Sequence, residues 1–186
     1  MQKQVLIEKN FGNLNIGDAP EYQINSVINK LLIDLAATPF RFERRNRNVP
    51  VSAVRKIEYN NIRSNKHIIH QYIDHSTVVE DAYARIDAMT PYGRDTILRN
   101  LNDLYYKCLD LLGVEYFESI DIEQVRENSD HILSYIVNQL KNFAYESKNV
   151  PSMREHVEQG VNVVVAHAFL ECIIFEVPND ATIYGV

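Results

Sequence analysis

The 186-residue sequence contains no tryptophan and two cysteines. Its six glycines and six prolines are too few for a collagen-like or low-complexity chain. Cys108 and Cys172 lie far apart, which gives neither a disulfide framework nor a CxxC metal or redox pair. The thiols are expected to be reduced and buried, in a cytoplasmic protein. No apolar run approaches the ~18 residues of a membrane-spanning helix. The opening Met1-Gln2-Lys3-Gln4 leads into no signal-peptide hydrophobic region. GxGxxG, Walker A and GxSxG patterns are all absent, so nucleotide-dependent and serine-nucleophile chemistry have no support. Excess positive charge is missing too. The chain has 19 Lys and Arg against 25 Asp and Glu, a net charge of −6, which argues against nucleic acid as a direct ligand.

What is present is an ordinary globular composition, with 46% hydrophobic and 24% charged residues. A chain of this length buries roughly 70% of its unfolded surface and needs no covalent or metal staple. The first residues differ from the rest. Val5-Leu6-Ile7 and Leu14-Asn15-Ile16 flank the turn Asn10-Phe11-Gly12-Asn13, which predicts a short β-hairpin. An isolated two-stranded ribbon is marginal in water and leaves its edges unpaired. Residues Val5, Ile7, Leu14 and Ile16 are therefore expected to mediate self-association in a homo-oligomer. Pairing with Thr182-Ile183-Tyr184 within one chain is the alternative.

Asp18, Pro20 and Glu21 mark a helix start. Ile24, Val27, Ile28, Leu31, Leu32 and Leu35 follow at spacings of three and four up to Ala37. The segment 41–50 then reads as a linker. Its Arg41, Arg44, Arg45 and Arg47 form a candidate partner-binding strip, suited to an acidic protein surface or to phosphates. A boundary here separates residues 1–48 (hairpin, helix and Arg-rich linker) from a helical domain over 49–186. Ser52 can cap a helix running in one or two pieces to Met89, with Ser76-Thr77 as the candidate break. A helix from about Asp95 to Leu112 has Gly113 placed to end it. Asp121 opens another, ending near Ser147. Ser152-Met153-Arg154-Glu155 reads as a capping box. The β-branched run Val161–Val165 can be read as a strand. Val157, Val161, Val164, Ala168, Cys172 and Phe175 nevertheless keep a helical spacing, and a buried helix is expected. The fold class is thus mainly α: a bundle of five or six helices with a short N-terminal β-hairpin.

Two patterns bear on chemistry. Arg126 and His131 fit the arginine–four-to-six-residues–histidine pattern of HEPN ribonucleases. There a histidine handles a ribose hydroxyl proton while the arginine steadies a phosphate. Eleven arginines and six histidines yield about one such match at random. The sequence has two, the second being Arg63 with His70, and a solvated helix end is the plainer reading. His67, His70 and Asp74 share a helical face and form a possible divalent-metal set. A polar helix face is again the plainer reading, and no metal or other cofactor is assigned.

Three stretches carry a family resemblance: Lys56-Ile57-Glu58-Tyr59-Asn60-Asn61-Ile62, Ile68-Ile69-x-x-Tyr72, and Val163-Val164-Val165-x-x-Ala168-Phe169-x-x-Cys172-x-Ile174-Phe175-Glu176. Together they resemble the C-terminal domains of bacterial ABC three-component systems, over roughly residues 50–178. The turn Asn13-Leu14-Asn15-Ile16-Gly17-Asp18 resembles short N-terminal hairpins of bacterial conflict proteins. The resemblance implies a non-enzymatic assembly module, partnered by an ABC/SMC-like ATPase and a small middle component. In such systems the helical domain is usually fused to a nuclease or protease effector. Here only some 50 residues precede it, which points to an adaptor or regulatory subunit.

Overall fold

The structure, a computed structural model, describes residues 24–38, 51–73 and 76–178. The hairpin residues Val5, Ile7, Leu14 and Ile16, the arginines 41, 44, 45 and 47, and Ile183-Tyr184 lie outside the described residues. Those described form eight α-helices and no strand: α1 Val27–Ala37, α2 Val51–Tyr59, α3 Lys66–Ile73, α4 Ser76–Met89, α5 Gly93–Leu112, α6 Ile122–Glu127, α7 Ser129–Glu146 and α8 Arg154–Leu170. The mainly α class holds, with more helices than the five or six expected from periodicity.

The core is organised around α8. Val157, Val161, Val164, Val165, Ala166, His167, Ala168 and Phe169 are all fully buried. A helix buried on every side has no polar stripe, so its periodicity is masked and its β-branched residues imitate a strand. Helices α1, α3, α4, α5 and α7 pack around it. Gly160 brings α1 close, because a Cβ there would stand 2.7 Å from Leu32 Cδ2. Helix α1, which the sequence places ahead of the linker, thus sends Leu31 and Leu32 into the same core as the other helices.

Three predicted boundaries are corrected. Ile24 to Ser26 are not helical. Asn149 holds this backbone instead, its Oδ1 accepting from Ser26 N–H at 2.7 Å and its Nδ2 donating to Ser26 C=O at 2.9 Å. The capping box at 152–155 does not form: α8 starts one residue late, with Met153 at its cap position and no side-chain cap bond. The stretch 52–89 is three helices rather than one or two, because Asn61 takes a left-handed φ of 55°. The Asp121 cap is as expected, with its carboxylate accepting from Gln124 N–H at 3.1 Å.

Helices α2, α5 and α8 end alike. One residue adopts positive φ: Asn61 (55°), Gly113 (70°) or Cys172 (60°). The next N–H then bonds to the carbonyl five residues back. These bonds are Ile62 to Ile57 at 3.0 Å, Val114 to Leu109 at 3.0 Å, and Ile173 to Ala168 at 2.9 Å. This is the Schellman closure, which satisfies a terminal carbonyl and favours glycine or asparagine at the left-handed position. At α8 a cysteine occupies it, and this turn leaves Cys172 exposed rather than buried as expected, while Cys108 is buried.

Candidate functional site

Five of the residues in the stretches that carry the resemblance, Lys56, Asn60, Phe169, Ile174 and Glu176, come together at one junction, between α2 and the segment that follows α8. Lys56 is buried. Its Nζ donates to Phe169 C=O at 2.5 Å and Ile174 C=O at 3.3 Å and lies 4.8 Å from the centre of the Phe169 ring. Burial pulls the ammonium below its ordinary pKa of 10.5, while Cys172, Glu176 and Glu171 act against that shift. One turn along α2, Asn60 pairs with the backbone of Glu176. Its Nδ2 donates to Glu176 C=O at 2.8 Å, and its Oδ1 accepts from Glu176 N–H at 3.2 Å. From α5, Asn102 Nδ2 donates to Ile173 C=O at 2.8 Å. A cation at the carbonyl end of α8 also meets the negative pole of that helix. Lys56, Asn60, Phe169, Ile174 and Glu176 therefore act together as a clamp on backbone groups.

The second site is a cleft of about 300 Å³ lined by Asn61, Arg63, Arg126, Glu127, Ser129 and Asp130. Asp130 accepts from the N–H groups of Arg63, Ser64 and Asn65 at 3.2, 3.0 and 3.3 Å. Its carboxylate is committed to holding the turn between α2 and α3. Arg126 pairs with Glu123 one turn away, at 3.2 Å. Arg63 Nε donates to Asn61 Oδ1 at 3.0 Å. The arginines of both Arg/His matches thus line the same cleft. His131 is exposed and is not among the residues lining the cleft. His67 is exposed as well, and the side chains of His70 and Asp74 lie outside the described residues.

A third cluster joins α4 to the end of α8. His167 is completely buried, with Nε2 2.8 Å from Glu80 Oε1. Arg94 holds the other oxygen of Glu80 at 2.9 Å and lies 5.3 Å from the Tyr83 ring centre. Tyr83 packs on His167 with ring centroids 5.0 Å apart. Burial pushes the imidazole below its ordinary pKa of 6.5, and Glu80 acts the other way. Sequence periodicity missed this cluster, since Glu80 and His167 are 87 residues apart. Its one local signal is a histidine embedded in the apolar run 163–169.

The fourth feature is an aromatic chain running from core to surface. Phe169 meets Phe175 at 5.6 Å, Phe175 meets Tyr105 at 5.5 Å, and Tyr105 meets Tyr106 at 5.4 Å. Tyr106 then meets Tyr116 at 4.9 Å, and Tyr116 stacks on Phe117 at 5.0 Å. The outer end is solvent-facing: Phe117 is 87% exposed and Leu111, in the last turn of α5, is 67% exposed.

No protein-family model, curated protein or solved structure matches this chain. No helix among the described residues is long and apolar enough to cross a membrane.

Proposed function

We propose that the chain is a non-enzymatic assembly or adaptor subunit of a bacterial defence system, acting through protein–protein contacts. The observation that carries this reading is the run of packed rings Tyr106, Tyr116 and Phe117, which ends at the surface on Phe117, 87% exposed. Rings stacked on one another are already ordered, so covering them loses little side-chain freedom, and aromatic anchors dominate the energetics of contact surfaces. The clamp around Lys56 adds to the reading. Two polar residues of the stretches that carry the ABC three-component resemblance, Lys56 and Asn60, are spent on backbone carbonyls and amides, as suits a scaffold. The resemblance supplies the partner class, an ABC/SMC-like ATPase with a small middle component. Self-association through Val5, Ile7, Leu14 and Ile16, and partner contact through Arg41, Arg44, Arg45 and Arg47, belong to the same proposal.

The test is to search the genes neighbouring this chain's own for an ABC/SMC-like ATPase, whose absence refutes the partner class, and to co-express any such ATPase with the chain, followed by size-exclusion chromatography. A stable complex is expected, weakened at least tenfold by Phe117→Asp with Leu111→Asp while helicity is unchanged. Wild-type protein that elutes apart from the ATPase refutes the reading. A second reading, a HEPN-like metal-independent ribonuclease using Arg126 and His131, draws on the cleft that Arg63 and Arg126 both line. RNA cleavage that is lost in His131→Ala would put it first.

A further inference from the structure

The cluster joining α4 to the end of α8 has the composition of a metal site. His167 and Glu171 are four residues apart, one helical turn, and Glu80 faces them from α4. One donor atom from each of the three side chains lies within 4.8 Å of the other two. We infer that Glu80, His167 and Glu171 bind a single divalent transition-metal ion, through His167 Nε2 and one oxygen of each carboxylate.

The chemistry of the donors selects the class of ion. One imidazole nitrogen with two carboxylate oxygens suits Zn²⁺ or Mn²⁺, whereas magnesium and calcium prefer all-oxygen cages. The burial gradient supports an open site. His167 is sealed in the core, Glu80 is partly buried and Glu171 faces solvent. Three protein ligands, the outermost at the surface, leave the remaining positions to water, the pattern of an accessible rather than a closed zinc site. The ligands are also held from behind. Arg94 holds both oxygens of Glu80, Nη1 on Oε2 at 2.9 Å and Nη2 on Oε1 at 3.2 Å, so an ion on Oε1 displaces the longer bond and keeps the shorter, and Tyr83 packs on the imidazole. Such outer contacts orient metal ligands and tune their affinity.

The present geometry sets what must move. Two donors each about 2.1 Å from a tetrahedral ion stand about 3.4 Å apart. His167 Nε2 and Glu80 Oε1 are 2.8 Å apart, at hydrogen-bond distance, so the ion enters by a small rotation of the Glu80 carboxylate. Glu171 sits at the solvent side, where its carboxylate can swing in. The Arg94 charge offsets part of the attraction, which favours a micromolar over a nanomolar site. An ion held here ties α4 to the end of α8, beside the backbone clamp of Lys56. The set differs from the His67, His70 and Asp74 face considered from sequence.

The test uses full-length protein without a histidine tag, stripped with chelator and titrated calorimetrically with ZnCl₂ and MnCl₂. Binding of one equivalent of at least one ion is expected, with a rise in Tm on its addition. His167→Ala removes a core side chain, so the informative variants are Glu171→Gln and Glu80→Gln. Each should weaken binding at least tenfold, with the circular dichroism of Glu171→Gln unchanged. Cys172→Ser should bind as wild type does. Absence of binding for both ions overturns the assignment. So does affinity that Glu171→Gln leaves intact, which would place the ion on surface histidines. Binding lost in Cys172→Ser would also overturn it, by making the thiol the ligand.

Discussion

Replacing Lys56 with methionine isolates what the buried ammonium contributes. Methionine keeps most of the aliphatic stem and its contact with Phe169, and deletes the charge and both donors. Lys56 Nζ serves two carbonyls, Phe169 C=O and Ile174 C=O. The first keeps a partner after the change, because Cys172 N–H also reaches it, at 3.4 Å. A hydrogen bond from a charged donor contributes about 1.5–3 kcal/mol, and a stranded buried carbonyl costs about 1–3 kcal/mol. Against this stands the desolvation of the ammonium, which depresses its pKa and which methionine relieves. The balance predicts a loss of about 2–3 kcal/mol at pH 7. With a urea m-value of about 2 kcal/mol/M, the unfolding midpoint should fall by roughly 1 M. Circular dichroism during urea titration measures it. A midpoint within about 0.2 M of wild type would refute the reasoning, since it would mean that desolvation cancels both bonds.

Two further outcomes follow from the helix ends and the core. Cys172→Gly should raise stability by about 1 kcal/mol, because the left-handed position at the end of α8 strains every residue but glycine; a midpoint that falls in chemical denaturation contradicts this. Burial pushes the Cys108 thiol from its ordinary 9.0 up to about 11, so the folded chain keeps a proton that the unfolded chain releases. The associated stability is complete below pH 9 and is lost by pH 11, about 2–3 kcal/mol in all. Tyr105, also raised by burial, acts in the same direction, and Lys56, lowered by burial, acts oppositely. The Cys108 share is therefore read as wild type minus Cys108→Ala across this window, and parallel pH profiles for the two proteins would remove it.

The helices legible in the sequence are those with one apolar face and a plain stop. Helix α5 is the clearest: Ile97, Leu101, Leu104, Tyr105 and Cys108 are buried in step, and Gly113 closes it. Helix α8 was legible only through its spacing, since burial on all sides removes the polar contrast that periodicity needs. The break at Asn61 was not legible, because asparagine is also common inside amphipathic stretches. The turn is held open from outside, by Asp130 on a helix 65 or more residues away. The same limit hid the candidate sites. Arg126 and His131 are close in sequence, yet only Arg126 lines the cleft. Glu80 and His167 share no local pattern and meet because α4 packs on α8. Leu111, three residues after the buried Cys108 and so at a spacing that predicts burial, faces solvent. Periodicity gives a face and not its partner.

The position of α8 in the fold has a consequence during synthesis. The helix that α1, α3, α4, α5 and α7 surround is made after all of them. At about 5–20 residues per second, roughly 7–30 s separate the emergence of Ile28 from that of Phe169. Through that interval the earlier helices have apolar faces and no centre to close on. Leu31 and Leu32 of α1 wait longest for Gly160, and the carbonyls that Lys56 will bond do not yet exist. The nascent chain is then a natural client for ribosome-associated chaperones, and a ribosome stalled before α8 would expose nearly the whole prospective core at once.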